Sequence, residues 1–388
     1  MSEQSLRVSS VGRLPSFQSA QVFRSVLAAI LLGCSFQFFT PVLAQSRAAN
    51  VRDATLPPIV LPAGFRASVY ASGLAKPRLM AVAPNGDVAL SDMKAGRIYL
   101  LRGSQKAQVF TFASGLDIPH GLAFHGGFLY VATQGAVLRY PYRSGDTRAS
   151  GAAERVVALS GGGEHVTRTL SFGPDGRLYV STGSSCNACR ETDPRRASVW
   201  SYAADGTDGR LYASGLRNAI GMAWKGGALY VSNNGRDYLG DTTPPEGFYR
   251  LKQGGFYGWP TCFTVGGRVV NDPAYRNADC RKASAAFATV HAHSAPMDLA
   301  LYTGSMFPAA YQGKFLAALH GSSMNAVPVG DKVVLLDPAT GRVQDFLTGL
   351  VRSDGYFNRP VGLAVLPDGS LLVSDDWAGK VYRISYGK

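Results

Sequence analysis

Several things are missing from this chain, and each absence removes a class of protein. Lys and Arg outnumber Asp and Glu by 39 to 26, for a net charge of +13, yet they never gather into a basic run. No nucleic-acid module is recognisable, so the excess reads as a basic surface, which can include a cluster around an anionic ligand. Long hydrophobic runs are also missing. The longest, 26–39, is too short for a membrane span. It follows Arg7, Arg13 and Arg24 and precedes the small residues Val42-Leu43-Ala44, which predicts a secretory signal over 1–44. A linker is expected over 45–60 and the folded domain over 61–388. An alternative is lipoprotein anchoring at Cys34, after Leu31-Leu32-Gly33. Leu32 suits that pattern poorly, and apolar sequence continues past the cysteine. The exported form, periplasmic or secreted, is the expectation.

Cysteine is scarce as well. Removing the signal leaves Cys186, Cys189, Cys262 and Cys280, an even number in an oxidising compartment. The CxxC lacks the following His of a haem attachment site, since Arg190 stands there. It also lacks the second CxxC or His pair of a zinc site. Proximity along the chain suggests Cys186–Cys189 and Cys262–Cys280 disulfides.

Glycine is plentiful, at 45 residues, and points to many turns and short strands. ASGL recurs at 71–74, 113–116 and 213–216, each time followed by an apolar strand, a Gly turn and a second strand. The second strands read DVALSD, FLYVAT, RLYVST, ALYVSN, KFLAAL and SLLVSD, starting 41, 49, 51, 86 and 56 residues apart. That period is one four-stranded unit, so the fold class is all-β, a six-bladed β-propeller. The long gap places an insertion at about 233–295. The last unit lacks an outer strand, so the N-terminal strand around Phe65 is expected to complete the last blade and close the ring.

Overlaying the repeats on the apolar pair before each Gly turn aligns their inner-strand entries. Six residues before the pair lie Ala75, Asp117, His165, Arg217 and Asn358; three before it lie Arg78, His120, Arg168, Ile220 and Val361. Asn218 and Arg359 sit between these two rows. Residues remote in sequence therefore converge at one channel mouth. A lone Arg or His is usually a solvated loop residue, but repeat-equivalent polar groups from several blades favour a site. The Arg and Lys there suit an anionic ligand. The insertion opens with SNNGRDYLGD, whose carbonyls and side-chain oxygens suit calcium, although an Asn/Gly-rich turn is the commoner explanation and the EF-hand spacing is absent. The aromatic turn GFYGWP at 255–260 reads equally as a sugar-site wall or a packed corner.

At EH followed by FGPDGRLYVSTGS, then GLRNAIGMAW, SNNGRD, YGWP and RPVGLAVLPDGSLLVSDD, the chain resembles the quinoprotein glucose/sorbosone dehydrogenase family. The likeness runs from about Leu61 to Tyr386, and the GSSCNAC loop looks most like the sorbosone branch. The resemblance implies a six-bladed propeller using pyrroloquinoline quinone (PQQ) and Ca2+ to oxidise a sugar or sugar-derived aldehyde, with electrons passed to a separate acceptor. It implies His165 as general base, with Glu164 its acidic neighbour, and Arg217 and Asn218 at the quinone. It further implies the carbonyls of Gly235 and Arg236 on calcium, and Arg78, Lys332 and Arg359 facing the cofactor. The fifth blade departs from the pattern: Gly321-Ser322-Ser323-Met324-Asn325-Ala326 lacks the aromatic and the arginine of the branch's GSWNR. Two alternatives stay open: a calcium-dependent propeller lactonase, for which Asp117 is a possible contributor, and a non-catalytic binding propeller.

Overall fold

The second strand of each repeat is sheathed on both faces, which is why these strands read as continuous apolar runs rather than alternating ones. Val88–Asp92, Leu178–Thr182, Phe315–Leu319 and Leu371–Asp375 are buried along their whole length. The computed structural model describes residues 56–322, 324–350 and 358–387. The expected signal over 1–44, Cys34 and most of the expected linker lie outside them.

Six antiparallel sheets form the blades. Their innermost strands are Pro77–Val82, Leu122–His125, Arg168–Phe172, Ala219–Lys225, Pro296–Leu301 and Pro360–Val365. Phe65–Ser72 pairs with Lys380–Tyr386, Phe65 opposite Tyr386 and Ser72 opposite Lys380, so the N-terminal strand is the outer strand of the sixth blade. Phe65 also packs edge-on against Phe307, Phe346 and Tyr386.

Neighbouring blades are joined by a device encoded in the repeat. Ser91, Ser181 and Ser374 hold one position of their second strands, and each hydroxyl donates to a carbonyl of the next blade's inner strand or its entry: His120, Ala219 and Arg78. Glycine makes the approach possible. A Cβ on Gly362 would stand 2.3 Å from the Arg78 carbonyl oxygen.

The 233–295 insertion is smaller than its spacing implies. Glu246–Arg250 and Ala288–Val290 within it are the third and outer strands of the fourth blade. The true excursion lies between them and carries the hairpin Cys262–Val265/Arg268–Asn271. Its short strand Gly255–Phe256 joins the third blade in parallel with Ala213–Ser214. Strand pattern could not reveal this, because two residues carry no periodicity.

The channel is narrowed. Leu79, Ile220, Met297 and Val361, from the first, fourth, fifth and sixth blades, form one buried cluster. The first and fourth blades face each other across a six-membered ring, so a buried cluster that includes residues of both narrows the axis. Beside it lies a cavity of about 180 Å³ lined by Leu79, Leu122, Thr169, Met222, Asp298 and Leu363, one from each blade.

Candidate active site

Inner strands enter, and second strands leave, on the same face, so two rings of loops frame one mouth. His165 lies in the entry to the third blade. The preceding glycines of 161–163 are pinned by buried cations: Arg196 donates to the carbonyls of Ser160, Gly161 and Gly162. Arg168, 1% exposed, donates to those of Ser160, His165 and Thr167. Arg168 is therefore a brace for the His165 backbone.

The proton on His165 can be placed by elimination. Its Nδ1 faces the Ser184 carbonyl at 3.1 Å and the Ser184 hydroxyl at 2.9 Å. That hydroxyl spends its one hydrogen on the Cys186 carbonyl, 2.6 Å away, so towards His165 it can only accept. Nδ1 must carry the proton, which leaves the Nε2 lone pair available. Burial, and then the charge of Arg217, push the His165 pKa down to about 4, so the imidazole is neutral at pH 7. Asn218 stands close by. A Cβ on Gly183, between them, would lie 2.6 Å from both Asn218 Oδ1 and His165 Cβ.

Arg217 is 4% exposed, and four of its five N–H donors are engaged. Its Nη1 donates to the Gly235 carbonyl at 2.6 Å, and Nη2 donates to Asp237 Oδ2 at 2.8 Å and Asn187 Oδ1 at 2.9 Å. Its Nε donates to the Asn187 carbonyl at 3.0 Å. The Gly235 N–H donates to buried Glu246, whose pKa burial raises to about 7, and Arg236 pairs with Asp272 at 2.9 Å. The loop expected to bind calcium is thus rigid. Among the described residues the one close grouping of His, Cys, Asp or Glu ligand atoms is Cys186, Cys189 and Glu191, and its sulfurs are bonded to each other.

Across the ring, Arg78 Nη1 donates to Asp376 Oδ2 at 2.6 Å, and Nη2 contacts His120 Nε2 at 3.4 Å. His320 Nε2 lies 3.1 Å from Asp376 Oδ1. Burial alone would raise the Asp376 pKa; His320, Arg78 and Lys76 together hold it below the usual carboxylate range. Beside this network is a cavity of about 370 Å³ lined by Ala75, Lys76, Lys94, His320, Arg359, Asp376 and Trp377. Arg359 lies over the Trp377 ring, its guanidinium carbon 5.7 Å from the centroid.

The structure brings His165, Arg217, Asn218, Gly235, Arg236, Arg78 and Arg359 to this face. It leaves one expected residue apart: Lys332 pairs at 2.8 Å with Asp345 on its blade's outer strand. Glu164 is exposed but near enough to act on the charge of Arg217. Sequence reasoning missed Lys94, Ser184, His320, Asp376 and Trp377, all just past the ends of second strands. Extending the repeat overlay beyond those ends would have found them. Asn187 and Asp237 carried no repeat signal. The aromatic turn is a packed corner: Tyr257 and Trp259 are buried, and Trp259 Nε1 donates to the Asn187 carbonyl. Both expected disulfides are present.

Comparison with known proteins follows the same lines. The profile of the TrAA12-like family matches residues 59–387. An uncharacterised protein of Borreliella burgdorferi is 25% identical over 379 residues, covering 92% of this chain and 98% of its own. The holo form of the pyranose dehydrogenase PQQ domain from Coprinopsis cinerea has a TM-score of 0.75 at 21% identity, covering 86% of this chain and 98% of that one. A calcium structure of the Trichoderma reesei carbohydrate-active enzymes family AA12 also gives 0.75 at 21%, covering 87% and 99%. The PQQ-bound aldose sugar dehydrogenase of Streptomyces coelicolor gives 0.60 at 19%, covering 84% and 99%. At these identities the structural likeness is one of fold.

Proposed function

The chain belongs to the TrAA12-like family, and from that premise we propose that it is a PQQ-dependent sugar dehydrogenase. The observation that carries the reading is His165: a neutral imidazole at the mouth, with Nδ1–H turned inward and the Nε2 lone pair left over. The cavity beside Arg78 fits the cofactor's chemistry. Lys76, Lys94 and Arg359 supply positive charge for carboxylates, and Trp377 supplies a flat face.

When bound, PQQ supplies a two-electron acceptor that the protein itself lacks. The chain's own part is proton transfer and orientation. His165 Nε2 would take the proton of the hydroxyl on the sugar's anomeric carbon; with PQQ bound to take up the hydride, the new C=O would complete the balance. Such a positioned base is worth about 10²–10⁴ in rate. Arg217, fixed by four hydrogen bonds, would offer a pre-oriented charge to a bound quinone, at little reorganisation cost. Asn218, braced against Asn234 at 3.3 Å, orients the same edge. Calcium, in this reading, would be held by the Gly235 and Arg236 carbonyls, the Gly235 carbonyl exchanging its bond from Arg217 Nη1 for the ion, while Asp237 stays with Arg217 and His293.

Two disulfides support an exported, oxidising location for the mature chain. No helix of the described residues is long and apolar enough to cross a membrane. The sorbosone branch rests on the GSSCNAC loop alone, so pyranoses and sugar-derived aldehydes are tested together. The lactonase reading lacks support: Asp117 is exposed, and among the described residues the one close grouping of His, Cys, Asp or Glu ligand atoms is the disulfide-bonded Cys186 and Cys189 with Glu191.

The test is titration of the purified protein with PQQ, with and without calcium, followed by dye reduction across that panel. Saturable binding with substrate-dependent reduction is expected. His165→Ala should lower kcat by about 10²–10⁴ while sparing PQQ binding; a variant that turns over normally removes His165 as the base.

A further inference from the structure

The four-residue ring closed by Cys186–Cys189 touches both halves of the site, though neither cysteine takes part in the chemistry proposed above. Asn187 uses nearly all its polar atoms on the site. Its carbonyl accepts from Arg217 Nε at 3.0 Å and Trp259 Nε1 at 3.1 Å. Its Oδ1 accepts from Arg217 Nη2 at 2.9 Å and the Asp237 N–H at 2.8 Å, and its Nδ2 donates to the Asp237 carbonyl at 3.2 Å. One residue earlier, the Cys186 carbonyl takes the Ser184 hydroxyl hydrogen and so leaves Ser184 only able to accept from His165. Ser185 is tied by its N–H and hydroxyl to Glu191 on the ring's far side.

A half-exposed loop of Ser, Asn and Ala would ordinarily be among the least ordered parts of a propeller face. This one is bolted across its base. The bolt does little for the fold as a whole, because stabilisation through the unfolded chain grows with loop length, and this bridge spans 3 residues against 18 for Cys262–Cys280. Its effect is local.

We propose that the Cys186–Cys189 ring is a clamp for the reaction centre and that Asn187 is a positioning residue. Asn187 fixes the guanidinium of Arg217, while the adjoining Ser184–Cys186 bond fixes the tautomer of His165. The consequence for turnover rests on the dehydrogenase reading; the clamp itself does not.

The experiment compares wild type with Asn187→Ala, Asn187→Asp and the double variant C186S/C189S, each checked for a cooperative melt. Misplacing a catalytic group by about an ångström can cost about a hundredfold. Asn187→Ala and C186S/C189S should therefore lower kcat about 10- to 100-fold, with the sugar KM changed less than about twofold. Asn187→Asp keeps acceptor oxygens for Arg217 and the Asp237 N–H, and should recover most of that loss. The second readout needs no cofactor. Side-chain NMR follows the His165 titration, which is set by burial and by Arg217, Arg168, Asp237 and the Ser184 carbonyl. In C186S/C189S the loosened loop admits water, and the midpoint should rise by about half a pH unit or more. Folded variants with kcat within about twofold of wild type, or an unmoved or lowered His165 midpoint in C186S/C189S, overturn the proposal. If wild type shows no quinone-dependent turnover while the midpoint still rises, the clamp stands and the dehydrogenase reading falls.

Discussion

The acid limb of the pH profile tests the reaction centre most directly. If His165 is the base, only its neutral form works, and kcat/KM should follow the free enzyme's titration of that imidazole. A histidine at the ordinary 6.5 would be about 3% neutral at pH 5, whereas one at about 4 would be about 90% neutral. The structure thus predicts roughly thirty times more activity at pH 5 than an unperturbed histidine allows. Burial contributes most of the shift and the Arg217 charge comes next. The assay is initial dye-reduction rates at subsaturating sugar from pH 4 to 8, on PQQ-loaded enzyme, alongside NMR titration of His165. The profile should stay flat down to about pH 5 and fall only near 4. A limb centred at pH 6 or above, with His165 titrating there too, refutes the reasoning: the imidazole would then be solvated, not enclosed.

Two further outcomes follow from the packing. Asp376→Ala leaves buried Arg78 without its carboxylate, and should cost about 3–5 kcal/mol by urea denaturation; a loss under about 1 kcal/mol would mean water already solvates that guanidinium. Because the Asp376 pKa is depressed, the stability it lends is complete above its unfolded pKa, near 4, and fades as pH falls further, so the cost of Asp376→Ala should shrink in acid. Gly362→Ala forces a methyl to 2.3 Å from the Arg78 carbonyl oxygen and 3.0 Å from Leu79 Cα, and should cost about 1–3 kcal/mol as the first and sixth blades part. An unchanged melting temperature would show that this blade junction is slack.

Most of the architecture was legible in the sequence, because a propeller blade must bury one strand on both faces and turn on glycine, and both leave marks at a regular period. Closure by the N-terminal strand could be read for the same reason: the sixth unit was one strand short. Entry-loop residues such as His165 and Arg217 were legible because the overlay gave them equivalent addresses. His320 and Asp376 have addresses too, each one residue past the end of its second strand. What could not be read was anything set by the excursion after the fourth blade's third strand. Trp259 meets Asn187 72 residues away, through a parallel pairing two residues long, and no local pattern announces such a contact.

The apolar cluster of Leu79, Ile220, Met297 and Val361 has a kinetic consequence. It narrows the channel behind the mouth, so the mouth is the one wide way in. If electrons are stored there, the oxidised sugar must leave by the route it entered before an acceptor can approach, so sugar and acceptor take turns at one doorway. Steady-state plots at several acceptor concentrations should then be parallel lines, and excess sugar should inhibit by blocking the acceptor's way in.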